Sequence, residues 1–155
     1  MSEPVIYDAN FLVALIAEFD KWHREATHLH ALIKSSGWDI VYFDCVANEV
    51  ISVLARRYEE KGRHQEFEEV LRKFKLLIPK KDLTWIYPDV ERHYDRILDV
   101  MKRSLGKLNF HDALIAVAAE EWGVKYIVSF DEDFDRVDCL VRIKDETLLE
   151  VSDEA

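Results

Sequence analysis

An alternation of two patterns constrains this chain most. Short apolar runs suited to buried strands are separated by longer stretches that are apolar at helical spacing. Val5 to Tyr7 reads as the first strand, Trp38 to Phe43 as the second and Val124 to Ser129 as the third. Helical patterns cover Asn10 to Phe19, Asp20 to about Ser35, Asp44 to about Lys61, His64 to Leu77, Pro88 to about Leu105, and Phe110 to Trp122. Asp20 and Asp44 read as N-caps, and glycines or prolines punctuate the helix ends. Leu83 to Tyr87 is a short extended piece, and Leu140 to Ile143 and Leu148 to Val151 read as edge strands. Strands alternating with helices predict an α/β fold. The expectation is a three-layer α/β/α domain. Its central sheet is mostly parallel, with about four to five strands and helices on both faces. The stretches Asp44 to Lys61 and His64 to Leu77 form a helical hairpin.

The chain has 155 residues, which fits one domain with a core over about residues 4–145. Hydrophobic residues make up 49%, with only four glycines and three prolines, so the composition is that of an ordered globule. The longest apolar runs, Phe11 to Ala17 and Ala113 to Ala119, are too short to cross a bilayer. No basic segment precedes an apolar stretch at the N-terminus, so a cytoplasmic protein is expected. Cys45 and Cys139 show no metal-ligand spacing and read as buried thiols. The net charge of −10 has the wrong sign for a general nucleic-acid binder. Its distribution is uneven. Residues 131–155 hold ten acids and three bases, whereas residues 56–81 hold nine bases and five acids.

Four acids stand where strands end or helices begin: Asp8, Glu49, Asp112 and Asp131. In an open α/β sheet, ligands bind in the crevice beyond the carboxyl ends of the strands. Four separate segments would thus deliver carboxylates to one place. Two like charges about 4 Å apart repel by roughly 4 kcal/mol at an effective dielectric of 20. Such a gathering makes sense as a cage for a hard divalent cation, Mg²⁺ or Mn²⁺. Each acid also has a structural reading. Asp8 suits a turn, Glu49 and Asp112 suit the positive ends of helices, and Asp131 suits a solvated loop.

Several motifs carry a family resemblance. They are Asp8-Ala-Asn-Phe-Leu12 after a strand, Asn48-Glu49-Val50 in a helix, Phe110-His111-Asp112-Ala-Leu-Ile-Ala116, and Ser129-Phe130-Asp131-Glu-Asp133-Phe134. Together, in this order, they resemble the PIN-domain nucleases, and most of all the small prokaryotic branch of VapC-like toxins. The resemblance implies a Mg²⁺- or Mn²⁺-dependent endoribonuclease that leaves 5′-phosphate and 3′-hydroxyl ends. It implies Asp8, Glu49, Asp112 and Asp131 as catalytic metal ligands. Asn10, Ser129 and Asp133 would support them, with Asp133 the alternative to Asp131. It further implies an RNA substrate, a small antitoxin partner and a homodimer. The apolar helices near residues 10–35 and 45–77 could supply a dimer surface. A housekeeping RNA-processing nuclease without antitoxin, a phosphatase using Asp8 as nucleophile, and an inactive interaction domain are the other readings. The phosphatase needs a second Asp two residues on, where Asn10 stands.

Arg56, Arg57, Lys61, Lys102, Arg103, Lys107 and His111 are candidate substrate contacts. The six histidines form no His-Glu-x-x-His motif, so a zinc site is not expected. Trp22, Trp38, Trp85 and Trp122 read as core residues rather than base-stacking platforms.

Overall fold

Val5, Ile6 and Tyr7 are wholly buried because they form the middle strand of a sheet covered on both faces. The computed structural model describes residues 2–149. Its elements run β1 (Pro4–Tyr7), α1 (Ala9–Ile16), α2 (His23–Ser35), β2 (Asp39–Phe43), α3 (Asp44–Glu60), α4 (Phe67–Leu77), β3 (Leu83–Thr84), α5 (Val90–Arg103), α6 (Phe110–Glu121), β4 (Tyr126–Val128) and β5 (Val141–Ile143). The five strands lie in the order β3-β2-β1-β4-β5, and every pair is parallel.

The chain steps from β1 to β2 to β3 in one direction and then crosses back to β4 on the far side of β1. Right-handed crossovers in opposite directions place α1–α4 on one face and α5–α6 on the other. The packing agrees. Helix α1 contacts α2, α3 and α4, and α5 packs on α6. Residues 113–119 of α6 are all buried, which explains their unbroken apolar run.

Four of the expected details differ. Residues 147–149 are helical, not a strand, and residues 150 and 151 lie outside the described residues. Cys45 is buried as expected, but Cys139 is exposed. Trp22, Trp85 and Trp122 are 40%, 50% and 57% exposed, so only Trp38 is largely covered. The aspartates do not cap helices as read. Trp22 occupies the N-cap position of α2 and Phe43 that of α3, each without a side-chain cap. Asp20 Oδ1 accepts from the N–H of Trp22, in the turn just before α2, and its Oδ2 pairs with Arg57. No helix among the described residues is long and apolar enough to cross a membrane.

Asp44 has a different task. Its buried carboxylate accepts hydrogen bonds from the backbone N–H groups of Cys45 (3.0 Å), Ile86 (2.9 Å) and Tyr87 (3.0 Å). It therefore clips the chain after β3 onto the start of α3. Asp44→Ala would strand these donors, and each buried unmet donor costs about 1–3 kcal/mol. A loss of about 3 kcal/mol in urea unfolding is the expected result.

Candidate active site

The strand order reverses at β1, because its two neighbours β2 and β4 are reached in opposite directions. A crevice opens beyond the strand ends at such a switch point. Asp8 immediately follows β1, Ser129 immediately follows β4, and Asp131 lies two residues further on. Glu49 comes from the second turn of α3, which leaves β2, and Asp112 from the first turn of α6. The positive N-terminal ends of α1, α3 and α6 belong to the same region, and they offset some of the repulsion among the acids.

Asp8 is held by three donors. Its Oδ1 accepts from the Ala9 N–H at 2.8 Å, which caps α1. Its Oδ2 accepts from the Ser129 hydroxyl at 2.7 Å and from the Asn10 amide at 3.2 Å. The Asn10 amide also reaches Ser129 Oγ at 3.1 Å, and its carbonyl Oδ1 accepts from the Phe130 N–H at 3.1 Å. The Asp131 N–H donates to Ser129 Oγ at 3.0 Å. Asn10 and Ser129 thus tie the segment after β4 to the segment after β1. Asp131 in turn caps a 3₁₀ turn at Glu132–Arg136 by accepting from the Asp133 N–H at 2.9 Å.

Asp112 belongs to a capping box. Its N–H donates to Asn109 Oδ1 at 2.9 Å, and its carboxylate accepts from the Asn109 N–H at 3.4 Å. The helix-start reading of this residue therefore has a structural basis. Glu49 and Asp131 line a depression of about 420 Å³ together with Asn10, Trp22, Arg57 and Phe130.

The acids feel one another. Burial lifts the Asp8 carboxyl to about 7, and the charges of Asp112 and Glu49 add to the rise against the hydrogen bonds from Ser129 and Ala9. Burial also lifts Asp112 to about 6, helped by Asp131, Glu49 and Asp133 and opposed by the Asn109 N–H. Among the described residues, no three carboxylate, imidazole or thiol groups close on one point as a finished metal cage. The arrangement is an open crevice edged by carboxylates. An all-oxygen donor set with unrelieved negative charge fits Mg²⁺ or Mn²⁺ rather than a softer ion.

The basic candidates divide. Arg57 lines the depression, where it pairs with Asp20 at 2.5 Å. Arg56 points to solvent and pairs with Glu60 at 3.8 Å. Lys61 lies 4.7 Å from the centre of the Phe19 ring, which Arg57 and Arg63 also approach. Arg103 pairs with Asp99 at 2.8 Å and lines a separate depression of about 360 Å³ that contains none of the four acids. Lys102 is exposed at the end of α5, Lys107 in the following loop, and His111 beside Asp112. Asp133 pairs with Arg136 at 3.7 Å.

Sequence reasoning missed two parts of this region. Asn109 stands three residues before Asp112, a spacing that signals a capping box. Trp22 follows Asp20-Lys21 in the break between α1 and α2, whereas a helical reading put it on an apolar helix face.

An open parallel sheet with acids gathered at its switch point defines a class. The PIN domain model matches residues 5–140, and the chain belongs to the PIN domain family, a family of nucleases. A comparison with curated proteins finds no match. Among solved structures, the chain is similar to Mycobacterium tuberculosis VapC20, a sarcin-ricin loop cleaving toxin. The TM-score is 0.68 at 19% identity, over 90% of this chain and 98% of that one. It is also similar to VapBC2 from Rickettsia felis bound to a DNA fragment from its promoter. There the TM-score is 0.62 at 15% identity, over 90% of this chain and 97% of that one. A Pyrobaculum aerophilum protein aligns with a TM-score of 0.57 at 19% identity, over 100% of this chain and 98% of that one.

Proposed function

We propose that this chain is a divalent-metal-dependent endoribonuclease and the toxin of a type II toxin–antitoxin pair. One observation carries the reading. Asp8 and Asp112, from segments far apart in sequence, share an acidic crevice: beyond the effect of burial, Asp112 and Glu49 raise Asp8's hold on its proton, and Asp131, Glu49 and Asp133 raise Asp112's. The part of that rise that comes from the neighbouring carboxylates is negative charge that also favours a divalent cation with oxygen ligands.

Asp8 and Asp112 are the central ligands of Mg²⁺ or Mn²⁺. Glu49 and Asp131 are outer ligands or ligands of a second ion. Asn10 and Ser129 orient Asp8, and Asp133 fixes Asp131 through its backbone. The bound metal supplies an activated water and neutralises charge on the phosphate. The chain's own groups hold the strand in line and leave 5′-phosphate and 3′-hydroxyl ends. The structural likeness to VapC20 and VapBC2 favours the toxin over a housekeeping nuclease. A small antitoxin and a second copy of the chain are the partners this reading carries.

The test is incubation of structured RNA with the purified protein in Mn²⁺, with EDTA as control. Discrete fragments bearing 5′-phosphates are expected in Mn²⁺ and none in EDTA. Uncut RNA in both would overturn the reading, and cutting in both would remove the metal from it.

A further inference from the structure

We infer that Trp22 is a stacking platform for an unpaired nucleobase of the substrate strand, beside the acidic crevice. The inference rests on the nuclease reading and names the kind of RNA that site takes.

Tryptophan is highly buried on average, yet this one is 40% exposed at the rim of the depression that holds Glu49 and Asp131. One face of its ring is occupied. The Phe130 ring lies nearly parallel to it, at 5.0 Å between centres and 17° between planes. Phe130 in turn packs on buried Phe11 at 5.7 Å, and Phe11 on buried Tyr7 at 4.7 Å. The exposed ring therefore rests on an aromatic stack rooted in the core. Phe130 is also the residue between Ser129 and Asp131, and its N–H is bonded to Asn10. The ring that supports Trp22 and the acid Asp131 thus sit on one short segment, tied through Asn10 to the segment of Asp8.

A rigid flat π-face beside a metal-binding crevice suits a nucleobase. Base–aromatic stacking tolerates any base, because every base has a π-face. The Lys21 ammonium lies 5.5 Å from the centre of the same ring. An arriving base would displace it, and its flexible stem lets it move to the adjoining phosphate. A base inside a duplex is stacked on both sides and cannot reach the ring, so the nucleotide that Trp22 receives is an unpaired one, in a loop or a single strand. A peptide side chain is the competing occupant. The neighbouring carboxylates and the lysine favour a metal-bridged, phosphate-bearing ligand over an apolar one.

The experiment is a coupling measurement between ring and base. Binding of a labelled ten-nucleotide single-stranded RNA is followed by anisotropy in Ca²⁺, which takes the same oxygen ligands, with RNA integrity checked on a gel. Wild type, Trp22→Leu and Trp22→Phe are compared on the intact strand and on strands carrying one abasic position each. Trp22→Leu should weaken binding by roughly 5- to 150-fold, the span for loss of one base–aromatic stack. Trp22→Phe should recover most of it. At one position, removing the base should weaken wild-type binding by a similar factor and abolish the difference between wild type and Trp22→Leu. A penalty that is equal at every abasic position, or absent, would overturn the inference. So would Trp22→Leu releasing a bound protein partner without changing RNA binding. Because no cleavage is read, failure of the nuclease reading shows separately, as uncut RNA in Mn²⁺ despite intact ring–base coupling.

Discussion

Asp112→Asn is expected to lower Mn²⁺-dependent RNA cleavage by about 10²- to 10⁴-fold, the equivalent of several kcal/mol of lost metal assistance. The substitution is nearly isosteric. The asparagine carbonyl still accepts from the Asn109 N–H, and the residue 112 N–H still donates to Asn109 Oδ1, so the capping box that starts α6 persists. The change removes one negative charge from a crowded site. If Asp112 serves only as a helix cap, activity should be untouched. If it is a metal ligand, kcat should fall much further than KM rises. Where the chain expressed alone arrests growth, the same substitution should relieve the arrest. Wild-type turnover in the folded variant would sink the assignment of Asp112, and with it the idea that α6 contributes to the site.

The strands and most helices were legible because burial leaves a strong mark on sequence. Val5-Ile6-Tyr7 is apolar throughout since β1 is covered on both faces, and Ala113 to Ala119 is apolar throughout since α6 is buried on nearly every side. The positions of Asp8, Glu49, Asp112 and Asp131 at the ends of elements followed from the same pattern. What the sequence concealed lies in the connections. Asp44 looks like an N-cap, and only the fold reveals that residues 86 and 87 return to its carboxylate. Trp22 looks like the apolar face of a helix, because no local signal shows that α1 ends at Ile16 and α2 begins at His23. Three exposed tryptophans misled for a related reason. Hydrophobicity says that a residue gains by burial, whereas packing decides which residues obtain it. The basic candidates were hardest to place. Arg57 differs from Arg56 by a single step along α3, yet Arg57 lines the depression and pairs with Asp20 while Arg56 pairs with Glu60.

In EDTA, the folded protein should lose stability as pH rises from about 4 to about 7. The sign follows from Asp8. An unfolded aspartate ionises near 3.9, whereas the folded group holds its proton to about 7. Between those values the native state binds a proton that the unfolded state has released, so unfolding becomes easier with rising pH. A rise of about three pH units corresponds to about 4 kcal/mol for a fully buried group. Asp112 acts in the same direction up to about 6, with a smaller effect because it is half-exposed and screened. His30 opposes both, since burial lowers its proton affinity and stability gained there grows as pH rises toward 6.5. The difference between wild type and Asp8→Asn isolates the aspartate. Asp8→Asn should therefore be the more stable protein at pH 8 in EDTA and lose that advantage by pH 4. Mn²⁺ should reverse the order at pH 8. A cation bound only by the folded state adds about 2.7 kcal/mol at 100 times its Kd, and it offsets the carboxylate charge that destabilises the site at that pH. Thermal unfolding at pH 5, 6.5 and 8, with EDTA and with Mn²⁺, reads both effects. Parallel wild-type and Asp8→Asn curves at all three pH values would mean that Asp8 is not a strained carboxylate waiting for a cation. Equal midpoints in EDTA and Mn²⁺ would mean that the crevice does not hold one.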